Sequence, residues 1–181
     1  MQFSINKFFE KNECNKIIEF AEKFGVKFLY NPNDVWDCKR IYDDEFKKNI
    51  IEKFKNLYQN GKLNIWFDLN SFQINDINIS LTKYYDGRWL DLHKDASSQF
   101  TTVILLSENF TDGRFVLSEK YTNIYDCEKY KITIGEAISF NGSTTFHGVM
   151  PVVDGVRYAL NIWMTNTDFK YYKLDKGKKL L

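Results

Sequence analysis

From Ile77 onward the chain is a succession of strand-length segments with no helix-length spacer between them. INISLTKY, RWLDLH, FTTVILL, RFVLSE, KITI, EAISF, FHGVMPV and VRYALNIWM follow one another. Turn residues separate them at Asp86-Gly87, Asp112-Gly113, Gly135, Asn141-Gly142 and Asp154-Gly155. Strands joined by such short turns cannot form a parallel sheet, which needs long crossovers, so the pattern predicts an antiparallel sandwich or barrel. Two strands also show their faces. Ile77, Ile79 and Leu81 fall on one side of theirs, and Asn78, Ser80, Thr82 and Tyr84 on the other. In the last strand Arg157, Ala159, Asn161 and Trp163 share one face, while Tyr158, Leu160, Ile162 and Met164 share the opposite, apolar one.

An apolar outer face needs a cover, and the first third of the chain offers it. NECNKIIEFAEKFG predicts a helix capped by Asn12, with Ile17, Ile18 and Ala21 on its buried stripe and Gly25 as its stop. DDEFKKNIIEKFKNLYQNG repeats that grammar. Asp43 or Asp44 caps it, Phe46, Ile50, Ile51, Phe54 and Leu57 form the stripe, and Gly61 ends it. Between the helices, a short strand and a loop around Asn31-Pro32-Asn33 are expected. The length suits one domain over 1–181, with 1–70 as mainly helical support, 71–166 as the barrel and 167–181 as a Lys-rich tail.

Charge narrows the partners. With 25 basic and 24 acidic residues the net charge is +1, too little to capture nucleic acid or an anionic membrane through phosphates. Cys14, Cys38 and Cys127 form no CxxC pair, so reduced thiols and a cytoplasmic location are expected. No apolar run approaches the ~18 residues of a membrane span, which predicts a soluble protein.

Histidine appears just twice, at His93 and His147. His93 stands in LDLHKD, two residues before Asp95, and side chains at i and i+2 of a strand point the same way. His147, in the later strand-like STTFHGV, can arrive from across the barrel. Two imidazoles and a carboxylate on one face of a metal are the ligand set of non-heme Fe(II) oxygenases. They leave three octahedral positions open, enough for a two-point chelator and a third small ligand. A His-x-Asp pair alone arises readily by chance, so the weight falls on the segments that flank it on either side.

Those segments, taken in order, resemble the 2-oxoglutarate- and Fe(II)-dependent oxygenases, nearest the prolyl 4-hydroxylase-like branch. FDLNSFQINDINISLTKYYDGRWLDLHKD places Tyr84 nine residues ahead of His93. TTVILLSENFTDGRFVL is similar to the family's next strand pair, and ITIGEAISFNGSTTFHGVMPVVDGVRYALNIWM to its closing strands, with Arg157 ten residues past His147. FSINKFFEKNECNKIIEFAEKF resembles the family's opening helix. The resemblance implies a double-stranded β-helix, a jelly-roll or cupin-like barrel, supported by N-terminal helices. It implies Fe(II) held by His93, Asp95 and His147, with 2-oxoglutarate and O2 as co-substrates and ascorbate as an auxiliary reductant. Arg157 would meet the distal carboxylate of the keto acid, an assignment that the planar, permanently charged guanidinium suits on its own chemistry. Tyr84, Thr102 and Asn161 are further candidates for the co-substrate. Two positions depart from the pattern. Ala159 replaces a common serine, so a second donor to the distal carboxylate must come from elsewhere, and Leu106 stands where some members carry a tyrosine.

The implied reaction is hydroxylation of an unactivated C–H bond, with 2-oxoglutarate and O2 converted to succinate and CO2. A prolyl or other peptidyl side chain is the leading substrate class. A free amino acid, a small metabolite or a nucleobase is the alternative. Trp36, Arg40, Tyr85, Arg88 and Trp89 lie in loops that could border such a substrate. Competing readings are a non-oxygenase cupin-type metal protein and a silent binding module on the same fold. The first would commonly use a third histidine or a glutamate as ligand, and the chain has no third histidine.

Overall fold

A computed structural model describes residues 1–27, 37–61, 74–95 and 97–165. Its N-terminal part supplies strand β1 (Phe3–Lys7), helix α1 (Lys11–Phe24), strands β2 (Val26–Lys27) and β3 (Asp37–Ile41), and helix α2 (Asp44–Gln59). Then come β4 (Ile77–Tyr84), β5 (Leu90–His93), β6 (Phe100–Leu105), β7 (Phe110–Asp112) and β8 (Phe115–Ser118). The chain continues with β9 (Glu128–Tyr130), β10 (Glu136–Phe140), β11 (Phe146–Val149), β12 (Val152–Gly155) and β13 (Arg157–Met164).

Seven strands form the large sheet in the order β1-β10-β6-β13-β4-β3-β2, and four form the small one in the order β5-β11-β8-β9. A β12-β7 ribbon completes the set. This is a mostly-β jelly-roll barrel with flanking helices. The long pair β4–β13 runs in unbroken antiparallel register from Tyr84↔Arg157 to Ile77↔Met164. Central β6 is buried along its whole length, because one of its faces meets helices and the other the barrel interior.

The alternation in β4 and β13 sorts residues into two cores. Ile77, Ile79, Leu81, Leu160, Ile162 and Met164 pack outward against Ile17, Ala21, Ile50 and Phe54 of the helices. Val103, Leu105 and Ala159 face inward against Phe115, Leu117 and Val149 of the small sheet. Phe54 anchors the outer layer, with its ring 4.7 Å from Phe8 and 5.8 Å from Phe100.

Two local expectations need correction. Besides its two helices, the N-terminal third gives three strands to the large sheet, and β3 lies between the helices, where a short strand is expected. FSINK, read as part of an opening helix, is strand β1 paired with β10, Phe3 opposite Phe140, and β3 pairs with β4. Pairing with a distant partner overrides local helix preference at the sheet edges. Helix α1 begins before Asn12, with Glu10 as its cap. The Glu13 carboxylate accepts from the Glu10 backbone N–H at 2.7 Å, which satisfies an otherwise orphaned donor. Of the two candidate caps for α2, Asp43 takes the role and accepts from Phe46 N at 2.7 Å. The loop around Pro32 and the C-terminal tail lie outside the described residues.

Candidate metal centre

His93 closes β5 and His147 lies in β11, and the two are direct partners in that antiparallel pair. Their ring centroids stand 4.2 Å apart. The strand register shifts between His147 and Val149, with Gly148 at the shift. A Cβ on Gly148 would sit 2.6 Å from the Leu90 carbonyl oxygen, so only glycine lets the two strands approach this closely. Asp95 follows just beyond β5, where its backbone N–H donates to Gly142 O at 3.0 Å. Its Oδ1 lies 3.8 Å from His93 Nε2 and its Oδ2 lies 3.3 Å from His147 Nε2. The ligand atoms of the three residues fall within 4.8 Å of one another, and no other such trio of His, Cys, Asp and Glu forms among the described residues.

The second ring nitrogens fix the tautomers. His93 Nδ1 lies 2.9 Å from Asp91 O and His147 Nδ1 lies 3.1 Å from Thr145 O. A carbonyl can only accept, so each Nδ1 carries the hydrogen and each Nε2 keeps its lone pair for a metal. Burial, with the neighbouring His147 adding to it, lowers the His93 pKa and favours the neutral ring that a ligand must be. Burial alone would raise the Asp95 pKa, but in the metal-free site a His147 ring protonated on both nitrogens, together with the Thr101 hydroxyl, outweighs it and holds the carboxyl below its ordinary value. Two neutral imidazoles and one anionic carboxylate suit a divalent transition metal such as Fe(II).

Two supporting residues were missed by sequence reasoning. Thr101 donates its hydroxyl to Asp95 Oδ2 at 2.8 Å. Gly142, read only as a turn, leaves space for that contact. A Cβ there would stand 2.2 Å from Thr101 Oγ1 and 2.9 Å from Asp95 Oδ2. The signal for Thr101 was strand parity, since Val103 faces the barrel interior and Thr101 must share its face.

A cavity of about 490 Å³ opens beside the trio, and Tyr84, Thr101, Arg157 and Asn161 help to line it. Arg157 is 1% exposed, yet its Nε and both Nη atoms have no hydrogen-bond acceptor among the described residues. Among the described residues its clear electrostatic neighbour is the Tyr84 ring, 5.6 Å from Cζ to centroid. Burial lowers the guanidinium pKa to about 10, partly offset by Tyr84. Burial likewise raises the Tyr84 phenol, with Arg157 pulling the other way, so it remains a protonated donor at neutral pH. Gly113, at φ +63°, accommodates the arginine stem, since a Cβ there would lie 3.0 Å from Arg157 Cδ.

The remaining candidates divide. Asn161 lines the cavity, but its Nδ2 donates to Thr82 Oγ1 at 2.9 Å. Thr102 does not line the cavity. Its hydroxyl pairs with Ser139 Oγ at 2.9 Å, because Thr102 sits one residue out of phase with the inward face of β6. Leu106 packs in the helix-side core, away from the metal trio. Among the substrate candidates, Arg40 lines the cavity. Tyr85 instead hydrogen-bonds Asp37, and Trp89 packs against Leu92, Val116 and Met150. Neither of these two lines the cavity, and nor does Arg88. Trp36 lies outside the described residues.

Residues 79–165 match the sequence model of the 2OG-Fe(II) oxygenase superfamily. No curated protein matches the chain by sequence. Solved structures do match it in fold. A prolyl-4-hydroxylase of Pseudomonas putida aligns with a TM-score of 0.65 at 14% identity, over 91% of this chain and 92% of that one. The viral collagen prolyl hydroxylase of Paramecium Bursaria Chlorella virus-1, in its 2OG complex, gives 0.62 at 17% identity, over 91% and 96%. A Trichoplax adhaerens prolyl hydroxylase, in complex with a hypoxia inducible factor oxygen degradation domain peptide fragment, gives 0.63 at 18%, over 92% and 84%.

Proposed function

Because residues 79–165 of this chain belong to the 2OG-Fe(II) oxygenase superfamily, we propose that it hydroxylates an unactivated C–H bond on a prolyl or other peptidyl side chain. In this reading His93, Asp95 and His147 hold Fe(II), and Arg157 receives the distal carboxylate of 2-oxoglutarate. The metal and keto acid supply the oxidising chemistry when bound, while the chain contributes orientation and exclusion of side reactions. Each imidazole is held in the ligating tautomer by a backbone carbonyl, and Thr101 restrains the carboxylate between them.

The observation that carries this reading is Arg157. A buried cation without an acceptor is costly, and here it lines the same cavity as the metal trio. A ligand with one end for a metal and a carboxylate at the other resolves that cost. Tyr84, on the same cavity wall, is placed to help orient it. Support for a peptide substrate is narrower, and comes from the prolyl hydroxylases among the structural matches. A near-neutral chain also favours recognition by shape over capture of a polyanion.

The test is anaerobic titration of Fe(II) and 2-oxoglutarate, followed by succinate release in air across panels of proline-containing peptides and free amino acids. A peptide-dependent rise in succinate that His147→Ala abolishes is the expected result. Stimulation by free amino acids alone would reject the peptidyl substrate, and failure to bind 2-oxoglutarate would reject the whole reading.

A further inference from the structure

Interior-facing residues of the large sheet stand in rows, because directly opposite residues on neighbouring strands share a face. Trp163 lies opposite Thr101 of β6, whose hydroxyl holds Asp95, and opposite Asn78 of β4. The next row runs Val103, Asn161, Ser80 and Arg40 across β6, β13, β4 and β3. Arg157 stands two rows further on, opposite Tyr84. Arg40 is thus one row from the residue that restrains Asp95, on the β3 side of the floor. It lines the metal cavity together with Asn78 and Trp163. From ordinary strand spacing and rise, the Cα atoms of Arg40 and Arg157 are roughly 17 Å apart. The two arginines therefore enter the cavity at different places.

Charge separates their roles. Asp95 is the one carboxylate among the described residues of the cavity wall, and the cations are Arg40, Lys94 and Arg157. With metal and keto acid bound, Asp95 and one carboxylate of 2-oxoglutarate balance the divalent ion, and the other carboxylate balances Arg157. The Lys94 ammonium lies elsewhere, 4.3 Å over the Phe146 ring, which packs with Leu92 and Val116 in a cluster separate from the barrel interior. The charge left over inside is that of Arg40. It is partly buried, where pairing with an anion is stronger than in open water. Trp163 adds an aromatic wall and Asn78 an amide beside it.

We propose that Arg40 selects substrates that carry a carboxylate close to the reacting C–H bond, which in a peptide is an Asp or Glu next to the hydroxylated residue. The proposal rests on the metal and co-substrate reading given above. Arg40 acts here on substrate choice alone, and neither the metal nor 2-oxoglutarate depends on it. The α-carboxylate of a free amino acid offers the same chemistry, so the assay carries an arm for each source.

The probes are capped six-residue peptides with one proline and an Asp, Asn or Lys on either side of it, together with free aspartate and free proline. Calorimetry without oxygen reads their binding to Mn(II)-loaded protein saturated with 2-oxoglutarate, and succinate release in air reads turnover with Fe(II). The unmodified chain should bind the better Asp peptide about tenfold tighter than its Asn counterpart, and added KCl should shrink that preference. Arg40→Gln should remove the preference and Arg40→Glu should transfer it to the Lys peptide, with 2-oxoglutarate affinity within twofold of the parent in both. Equal binding of Asp and Asn peptides by the unmodified chain would overturn the proposal and leave the peptidyl reading standing. So would a preference that survives in Arg40→Gln, or a loss of 2-oxoglutarate binding in that variant at unchanged Tm, which would put Arg40 in the co-substrate site. Failure of every probe to bind would overturn it as well. Binding of free aspartate or proline that depends on Arg40, with no peptide bound, would remove the peptidyl reading and keep the carboxylate subsite.

Discussion

Replacing Arg157 with methionine removes the buried charge while keeping an unbranched stem against Gly113. Burial lowers the Arg157 pKa from its ordinary value to about 10, so the fold disfavours its charged form by about 3 kcal/mol relative to water. The contact with the Tyr84 ring returns about 1 kcal/mol. The variant should therefore be more stable than the parent by about 2 kcal/mol without ligand, a rise of about 4–8 °C in Tm for a chain this size. The folded-state pKa lies below the unfolded one, so the parent's penalty is full at neutral pH and fades as the pH rises through about 10. With Mn(II) present and 2-oxoglutarate at a hundredfold excess over its Kd, the parent should gain about 2.7 kcal/mol and the variant nothing. Thermal melts with and without 2-oxoglutarate read this directly, and the order of the two midpoints should close or reverse on adding ligand. A ligand-free variant that melts below the parent would show that the guanidinium is already satisfied, and the case for an anion at Arg157 would lose its physical basis. Retention of the 2-oxoglutarate shift by the variant would be equally damaging.

Thr101→Val should weaken Mn(II) or Fe(II) binding by roughly 10- to 100-fold, as losing a hydrogen bond to a ligating carboxylate does elsewhere, and Thr101→Ser should restore it. Metal titration followed by circular dichroism checks both, and a valine variant that binds as tightly as the parent dismisses Thr101 as a support. Asp95 has a folded-state pKa below its ordinary value. Its contribution to stability is therefore fully present above the unfolded carboxylate pKa and is lost as the pH falls through the lowered one. Urea denaturation of metal-free protein over roughly pH 5 to 2 should show a shallower acid slope for Asp95→Asn, and an unchanged slope would reject the assignment.

Much of the site could be read from local pattern. The period-two alternation of β4 and β13 put Tyr84, Asn161 and Arg157 on the interior face, where the structure has them lining the cavity. Thr102 stands out in the sequence only as a polar residue in an apolar strand; two adjacent threonines leave the phase of β6 open, and only its packing shows that Thr101 reaches Asp95 while Thr102 meets Ser139. Arg88 and Trp89 read as borders of the opening because they are turn-adjacent and large, yet Trp89 packs into a small hydrophobic cluster and neither lines the cavity. Strand β1 was hidden for a different reason. Its partner β10 lies more than a hundred residues away, and no local preference encodes such a pairing.

The order of residues along the chain therefore determined which side chains are inward and which outward, where the turns fall, and which groups are chemically able to ligate a metal. Those properties come from bond geometry repeating every two residues and from the backbone freedom of glycine at turns. Tertiary structure alone decided which strands become neighbours. That adjacency brings His93 opposite His147, presses Gly142 against the Asp95 carboxylate, and buries one guanidinium beside the metal cavity. Distances between distant segments depend on sheet order and register, and both are settled by the joint packing of two cores.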